Sequence, residues 1–126
     1  MAPERKLYQD LRKNIPQIKW TRLENLSLLG TPDLLGYNNS GHFFTLELKV
    51  IKGKKIRFSP HQISFHVSHP NNSFILIKHL GQRGLKLFQG SRILELEARG
   101  FDARSLLLIK DRDAWSSLLE AFENLN

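Results

Sequence analysis

No cysteine occurs among the 126 residues, which excludes disulfides and thiolate zinc sites as supports of the fold and suits a reducing compartment. Long apolar runs are missing too. The longest, such as LLLI at 106–109, fall far short of a bilayer's thickness, and MAPERKLYQDLRK lacks the apolar segment of a signal peptide. A cytoplasmic protein without membrane attachment is therefore expected. Asn71-Asn72-Ser73 matches a glycosylation sequon, but without a secretion signal the match has no force. There is no glycine-rich phosphate loop and no serine-triad motif, so nucleotide-driven chemistry and acyl transfer have no anchor. Repeats, low-complexity segments and linkers are absent as well, and the length suits one domain over 1–126.

What the chain does have is positive charge. The formal net charge is +7, with the excess gathered in Lys52, Lys54, Lys55 and Arg57 and, upstream, in Lys6, Arg12, Lys13, Lys19 and Arg22. Such clustering favours a polyanionic partner, usually nucleic acid.

Apolar spacing outlines the elements. Pro3 begins a helix whose Leu7, Tyr8, Leu11 and Ile15 share one face, with Glu4 one turn earlier on that face. QIKWTRLEN (17–25) reads equally as strand or short helix. Two strands, Asp33 to Tyr37 and His42 to Val50, flank the turn residues Asn38 to Gly41. KGKK makes a basic turn, and SPHQISFHVSH carries helix-start signals: Ser59 as N-cap, Pro60 at N1 and Gln62 at N3, a capping box. FILIK (74–78) reads as a buried strand. LKLF, RILELE and LLLIK read as further strands, RILELEAR with a helical alternative. Trp115, Leu118, Leu119, Phe122 and Leu125 define a last helix, with Asp111 or Asp113 as cap. The order predicts an α/β domain, a mixed central sheet flanked by helices.

The hairpin places charges where core residues belong. A three-residue loop of Asn39, Ser40 and Gly41, with Gly41 left-handed, puts Asp33 directly opposite Glu47. Lys49 follows on the same strand face, and Leu46, Leu48 and Val50 take the other. Two opposed carboxylates repel unless something neutralises them, and a divalent cation would. Hard oxygen ligands suit Mg²⁺ or Mn²⁺, which polarise a phosphoryl oxygen and lower the pKa of water. Lys49 would orient that water or neutralise charge developing on phosphorus. The alternative is plain surface alternation, with Glu47 and Lys49 on the wet face of a half-exposed strand.

GTPD, a gap of turn-like residues, then ELK, with Gln62 on a helix beyond, resembles the PD-(D/E)xK nuclease superfamily. RLEN just upstream sharpens the likeness towards phage-type and Holliday junction resolvase-like members. The resemblance covers about residues 20–78. It implies Asp33 and Glu47 as metal ligands, Lys49 as the catalytic lysine, the Leu48 carbonyl as a further ligand and Gln62 as an accessory residue. It also implies an acidic residue ahead of the motif. Glu24 in RLEN is preferred, and Glu4 on the first helix is the other candidate. His61, His66 and His69 read as surface or DNA-facing histidines rather than zinc ligands, since no cysteine supports them. Trp20 and Phe58 read as core aromatics.

Together these readings predict a Mg²⁺- or Mn²⁺-dependent DNA endonuclease. Lys52, Lys54, Lys55, Arg57, Arg22 and His61 would track the phosphate backbone. The apolar residues left beyond the nuclease core, together with the need for two symmetric cuts, favour a homodimeric resolvase of four-way junctions acting in phage or bacterial recombination, in the host cytoplasm if phage-encoded. A repair or restriction-type endonuclease of the same core, and a non-catalytic nucleic-acid-binding module on a nuclease fold, are the rivals.

Overall fold

Asn39-Ser40-Gly41 reverses the chain between strand β2 (Leu34–Tyr37) and strand β3 (Phe43–Ile51), with Gly41 at φ 82°, a conformation in which glycine meets no steric penalty. The computed structural model describes residues 3–23, 30–82, 84–109 and 114–125. Asn38 builds the turn from inside. Its Oδ1 accepts the Ser40 and His42 amides at 3.0 and 2.9 Å, and its Nδ2 donates to the Phe122 carbonyl at 2.9 Å. Gly36 lies opposite Phe44, whose ring fills the space that a side chain at 36 would take. The register that results pairs Leu34 with Leu46 and Leu35 with Thr45.

Four further strands extend this hairpin into a six-stranded mixed sheet of order β1-β2-β3-β4-β5-β6, with β1 at Lys19–Arg22, β4 at Ser73–His79, β5 at Gly84–Gln89 and β6 at Leu107–Ile109. Only β3 and β4 are parallel. Helix α2 (Pro60–Ser68) makes the crossover between them, as parallel neighbours require. The capping box at its start is formed, the Ser59 hydroxyl accepting from Gln62 N at 3.1 Å and the Gln62 side chain accepting from Ser59 N at 2.9 Å.

Both sheet faces are covered. Helices α1 (Pro3–Asn14) and α4 (Ala114–Glu123) close one core, where Leu7, Leu11, Leu118 and Phe122 meet Phe44, Leu46, Leu48 and Leu76. Ile75, Ile77 and Phe88 of the opposite face meet Ile56, Phe58 and residues Ile93 and Leu96 of helix α3 (Ile93–Arg99), with α2's Ile63 packed against them. Trp20 and Phe58 are core aromatics as read from the sequence.

QIKWTRLEN resolves to strand over Lys19–Arg22. RILELE is not a strand: it belongs to α3, because burying Ile93 and Leu96 together needs a spacing of three, while Leu94 points to solvent. The proposed caps Asp111 and Asp113 lie outside the described residues. Much of the apolar surplus after residue 84 goes into the chain's own cores, as Leu85, Leu87, Phe88, Phe101 and Ile109 show, and so does not by itself call for a second subunit. No described helix is long and apolar enough to cross a membrane.

Phe122 ties α4 to the hairpin. It is fully buried, stacks on Phe44 at 4.4 Å and meets Trp20 and Phe74 edge-on. Phe122→Ala should cost about 3–5 kcal/mol of stability in urea unfolding; a loss below about 1 kcal/mol would mean that this cluster does not anchor the helix.

Candidate active site

Strand β3 runs on beyond Leu34, the first residue of β2, so its edge there carries amide donors that no described strand accepts. Two carboxylates take their place. Asp33 Oδ2 accepts from Leu48 N at 2.8 Å, and Glu4 Oε2, reaching over from α1, accepts from Val50 N at 3.2 Å. A residue in an extended strand turns its N–H and C=O to the same side, so the Leu48 carbonyl faces this gap as well. The gap is a cleft of about 620 Å³, lined by Glu4, Arg5, Tyr8, Arg22, Asp33, Leu34, Glu47, Leu48, Lys49, Val50 and Gln62.

Asp33, one residue before β2, continues the hairpin register and meets Glu47 as the turn length requires. The surface-alternation alternative fails on burial: Glu47 is 2 % exposed, on a face that α2 and α3 cover. Lys49 is half-buried beside it, with Nζ 5.1 Å from the centre of the Phe58 ring, a cation–π contact that keeps the ammonium at the cleft wall.

Burial is the main reason that both acids hold protons too tightly. It pushes the Asp33 carboxyl from its ordinary 3.8 up to about 8, helped by its hydrogen bond to Glu47 and by the Glu47 charge, against the Leu48 amide and Lys49. Glu47 is raised too, by burial first and by Glu4, with its bond to Asp33 and the Lys49 charge opposing. Asp33 is the donor in the bond between the two acids, since that bond raises its pKa and lowers that of Glu47. Asp33 therefore keeps its proton at neutral pH, and a cation bound there would displace it.

The donor set fits Mg²⁺ or Mn²⁺. Its atoms are hard oxygens, the Asp33 and Glu47 carboxyls and the Leu48 carbonyl lining one cleft. Among the described residues no three His, Cys, Asp or Glu side chains converge as a metal cage. Mg²⁺ is commonly held by one or two carboxylates, with waters and substrate phosphates completing its shell.

The other expected residues divide. Gln62 lines the cleft, but its Oε1 is committed to the capping box. Glu24 lies outside the described residues, whereas Glu4 lines the cleft. Arg22 lines it too, its guanidinium 5.3 Å from the Tyr8 ring. Lys52, Lys54, Lys55 and Arg57 are exposed in and after the bend that follows β3, outside the cleft lining, and His61 is exposed on the first turn of α2. The bend is held in place by Phe101 N donating to the Lys54 carbonyl at 3.2 Å.

His66 corrects the sequence reading. It is neither a surface nor a DNA-facing histidine but 0 % exposed, and burial, with His69 adding, lowers its pKa to about 4. Its Nε2 lies 4.0 Å from Glu47 Oε1, and the neutral ring makes this no ion pair. Its position four residues after Gln62, hence on the same helix face, was the available signal. Tyr8 was accessible by the same rule from Glu4. Arg5, beside Glu4 on the first turn, was also missed.

Neither a protein-family model nor a curated protein matches this chain. The assignment of the cleft therefore rests on its chemistry.

The carboxyl pair makes stability fall as pH rises. Between about 3.8 and 8 the folded chain keeps a proton on Asp33 that the unfolded chain has lost, so this contribution is full below 3.8 and gone above about 8. Asparagine at 33 reproduces the protonated acid, its oxygen accepting from Leu48 and its nitrogen donating to Glu47. Asp33→Asn should thus raise the thermal midpoint more at about pH 8.5 than at about pH 5; an equal change at both would place the proton elsewhere.

Proposed function

We propose that the chain is a divalent-metal-dependent DNA endonuclease of PD-(D/E)xK type. The observation that carries this reading is the buried Asp33–Glu47 pair with Lys49 beside it on the floor of an open cleft, flanked by basic side chains. Burying two acids face to face is costly for stability, and such cost is typical of a functional site. The likeness of GTPD and ELK to the superfamily's motif supports the same reading.

Asp33, Glu47 and the Leu48 carbonyl would hold Mg²⁺ or Mn²⁺, which when bound polarises a phosphoryl oxygen and lowers the pKa of water. Glu4 is the acidic residue that the described cleft offers ahead of the motif, though its Oε2 also serves the Val50 amide. Lys49, steadied against Phe58, neutralises charge developing on the non-bridging oxygens of the scissile phosphate. Arg5 and Arg22 receive the flanking phosphates at the cleft wall. Lys52, Lys54, Lys55 and Arg57 extend the track along the backbone, giving affinity without sequence information.

Substrate and assembly follow from that track. With positioning contacts dominating, a structure-selective enzyme is favoured, and the four-way junction is the substrate we propose. A homodimer would supply the two symmetric cuts. The β6 edge supports this: Leu108 on the strand and Leu106 just before it are 48 % and 47 % exposed, and the outer side of this short strand pairs with no described strand. The cysteine-free composition suits a reducing cytoplasm.

Cleavage of linear, flap, mismatched and four-way DNA with Mg²⁺ and with EDTA tests the reading. Mg²⁺-dependent cutting with preference for the junction is expected. Asp33→Asn and Glu47→Gln should abolish it with DNA binding retained, and Lys49→Ala should lose most of it. Equal cutting of linear duplex would favour a repair or restriction-type enzyme; metal-independent binding without cutting would leave a binding module. Lys52→Ala with Lys54→Ala should flatten the salt dependence, the slope of log K against log salt falling by about 0.9 for each duplex phosphate no longer neutralised. An unchanged slope would place the track elsewhere.

A further inference from the structure

Behind the cleft, on the side away from solvent, lies a short polar chain that the reaction as described does not use. Thr45 Oγ1 donates to Ser73 Oγ at 3.2 Å, and Ser73 Oγ lies 2.7 Å from His66 Nδ1. Thr45 and Ser73 are cross-strand neighbours on β3 and β4, so the parallel pairing itself sets their contact. His66 Nε2 points at Glu47 Oε1, 4.0 Å away, and both atoms are buried without any hydrogen-bond partner. Two orphaned polar atoms facing each other are unusual in a protein interior.

We propose that His66 is a positioning residue: its Nε2–H orients the Glu47 carboxylate, and Ser73 and Thr45 fix the tautomer that puts the proton on Nε2. The hydroxyls are arranged to match that tautomer. Ser73 Oγ accepts from Thr45, which leaves the serine's own hydrogen for His66 Nδ1, and an imidazole accepting at Nδ1 carries its single proton on Nε2. The ring cannot turn away. Gly90 covers it so closely that a Cβ there would stand 2.5 Å from His66 Nδ1 and 2.7 Å from Ser73 Oγ. With the ring pinned, the gap of about 1 Å beyond hydrogen-bond length closes by rotation of the Glu47 carboxyl. The donor then holds Oε1 and presents Oε2 to the cleft. Capping-box residue Gln62, one turn earlier on α2, begins the helix that carries His66 into place.

This inference rests on the metal-site reading above, and its test separates the two. Mn²⁺ is titrated calorimetrically into the wild-type chain and into His66→Leu, His66→Gln and Ser73→Ala, with thermal melts to establish folding. His66→Leu and Ser73→Ala should bind Mn²⁺ about 10–100-fold more weakly, the usual loss when the partner of a metal ligand is removed. His66→Gln, whose amide nitrogen reaches the place of Nε2, should recover most of that loss. Wild-type affinity in either folded variant, or a glutamine variant as weak as the leucine one, overturns the role of His66 while leaving the metal site standing. A wild-type chain that takes no Mn²⁺ overturns both.

Discussion

Two carboxyl groups are held against each other in a poorly solvated place, and the architecture around them follows from that constraint. Glu47 sits in the middle of β3 with Asp33 across from it; burial tightens the hold of both on a proton, and Glu47 tightens that of Asp33 further. The arrangement is tolerated because strong packing surrounds it: Leu46 and Leu48 anchor β3 to one core, and Ile75 and Ile77 beside Glu47 and Lys49 belong to the other. A sheet buried on both faces is what permits an acid to be dry and still lie beside an open cleft. Local violation supported by a consistent remainder is the pattern expected of a functional site.

Asp33 also has a structural duty, which it shares with Glu4. Beyond the start of β2 the Leu48 and Val50 amides would be edge donors, and Asp33 and Glu4 accept them. The cleft lining and the strand edge thereby share side chains, and α1 is tied to the end of β3 through Glu4. Electrostatics complete the site by contrast: a dry acidic floor, a lysine held by an aromatic ring, and a basic rim extending into solvent. On the proposed reading a polyanion would be attracted by the rim and would meet the two acids at the floor, where a cation would be required.

Much of this was legible in the sequence because it depends on local geometry. Gly41 in a three-residue loop fixed the hairpin register, and the register alone placed Asp33 against Glu47. The capping box of α2 was likewise a matter of Ser59, Pro60 and Gln62. Less legible were features set by tertiary packing. Alternation in RILELE fitted a strand, and the need to bury Ile93 with Leu96 decided for a helix. His66 read as a surface histidine because its burial depends on α2 lying over β3 and β4, which periodicity does not reveal. The contribution of Glu4 depended on where α1 docks, and the sequence preference for Glu24 falls on a segment outside the described residues.

Binding of a divalent cation at the Asp33–Glu47 pair would require release of the proton that Asp33 holds. Calorimetric titration of Mg²⁺ or Mn²⁺ in two buffers of different ionisation enthalpy measures it, because the difference in apparent heat counts protons released. About one proton per ion should be released at neutral pH, and that release should vanish in Asp33→Asn. Binding with no proton release, or release undiminished by Asp33→Asn, would contradict the account.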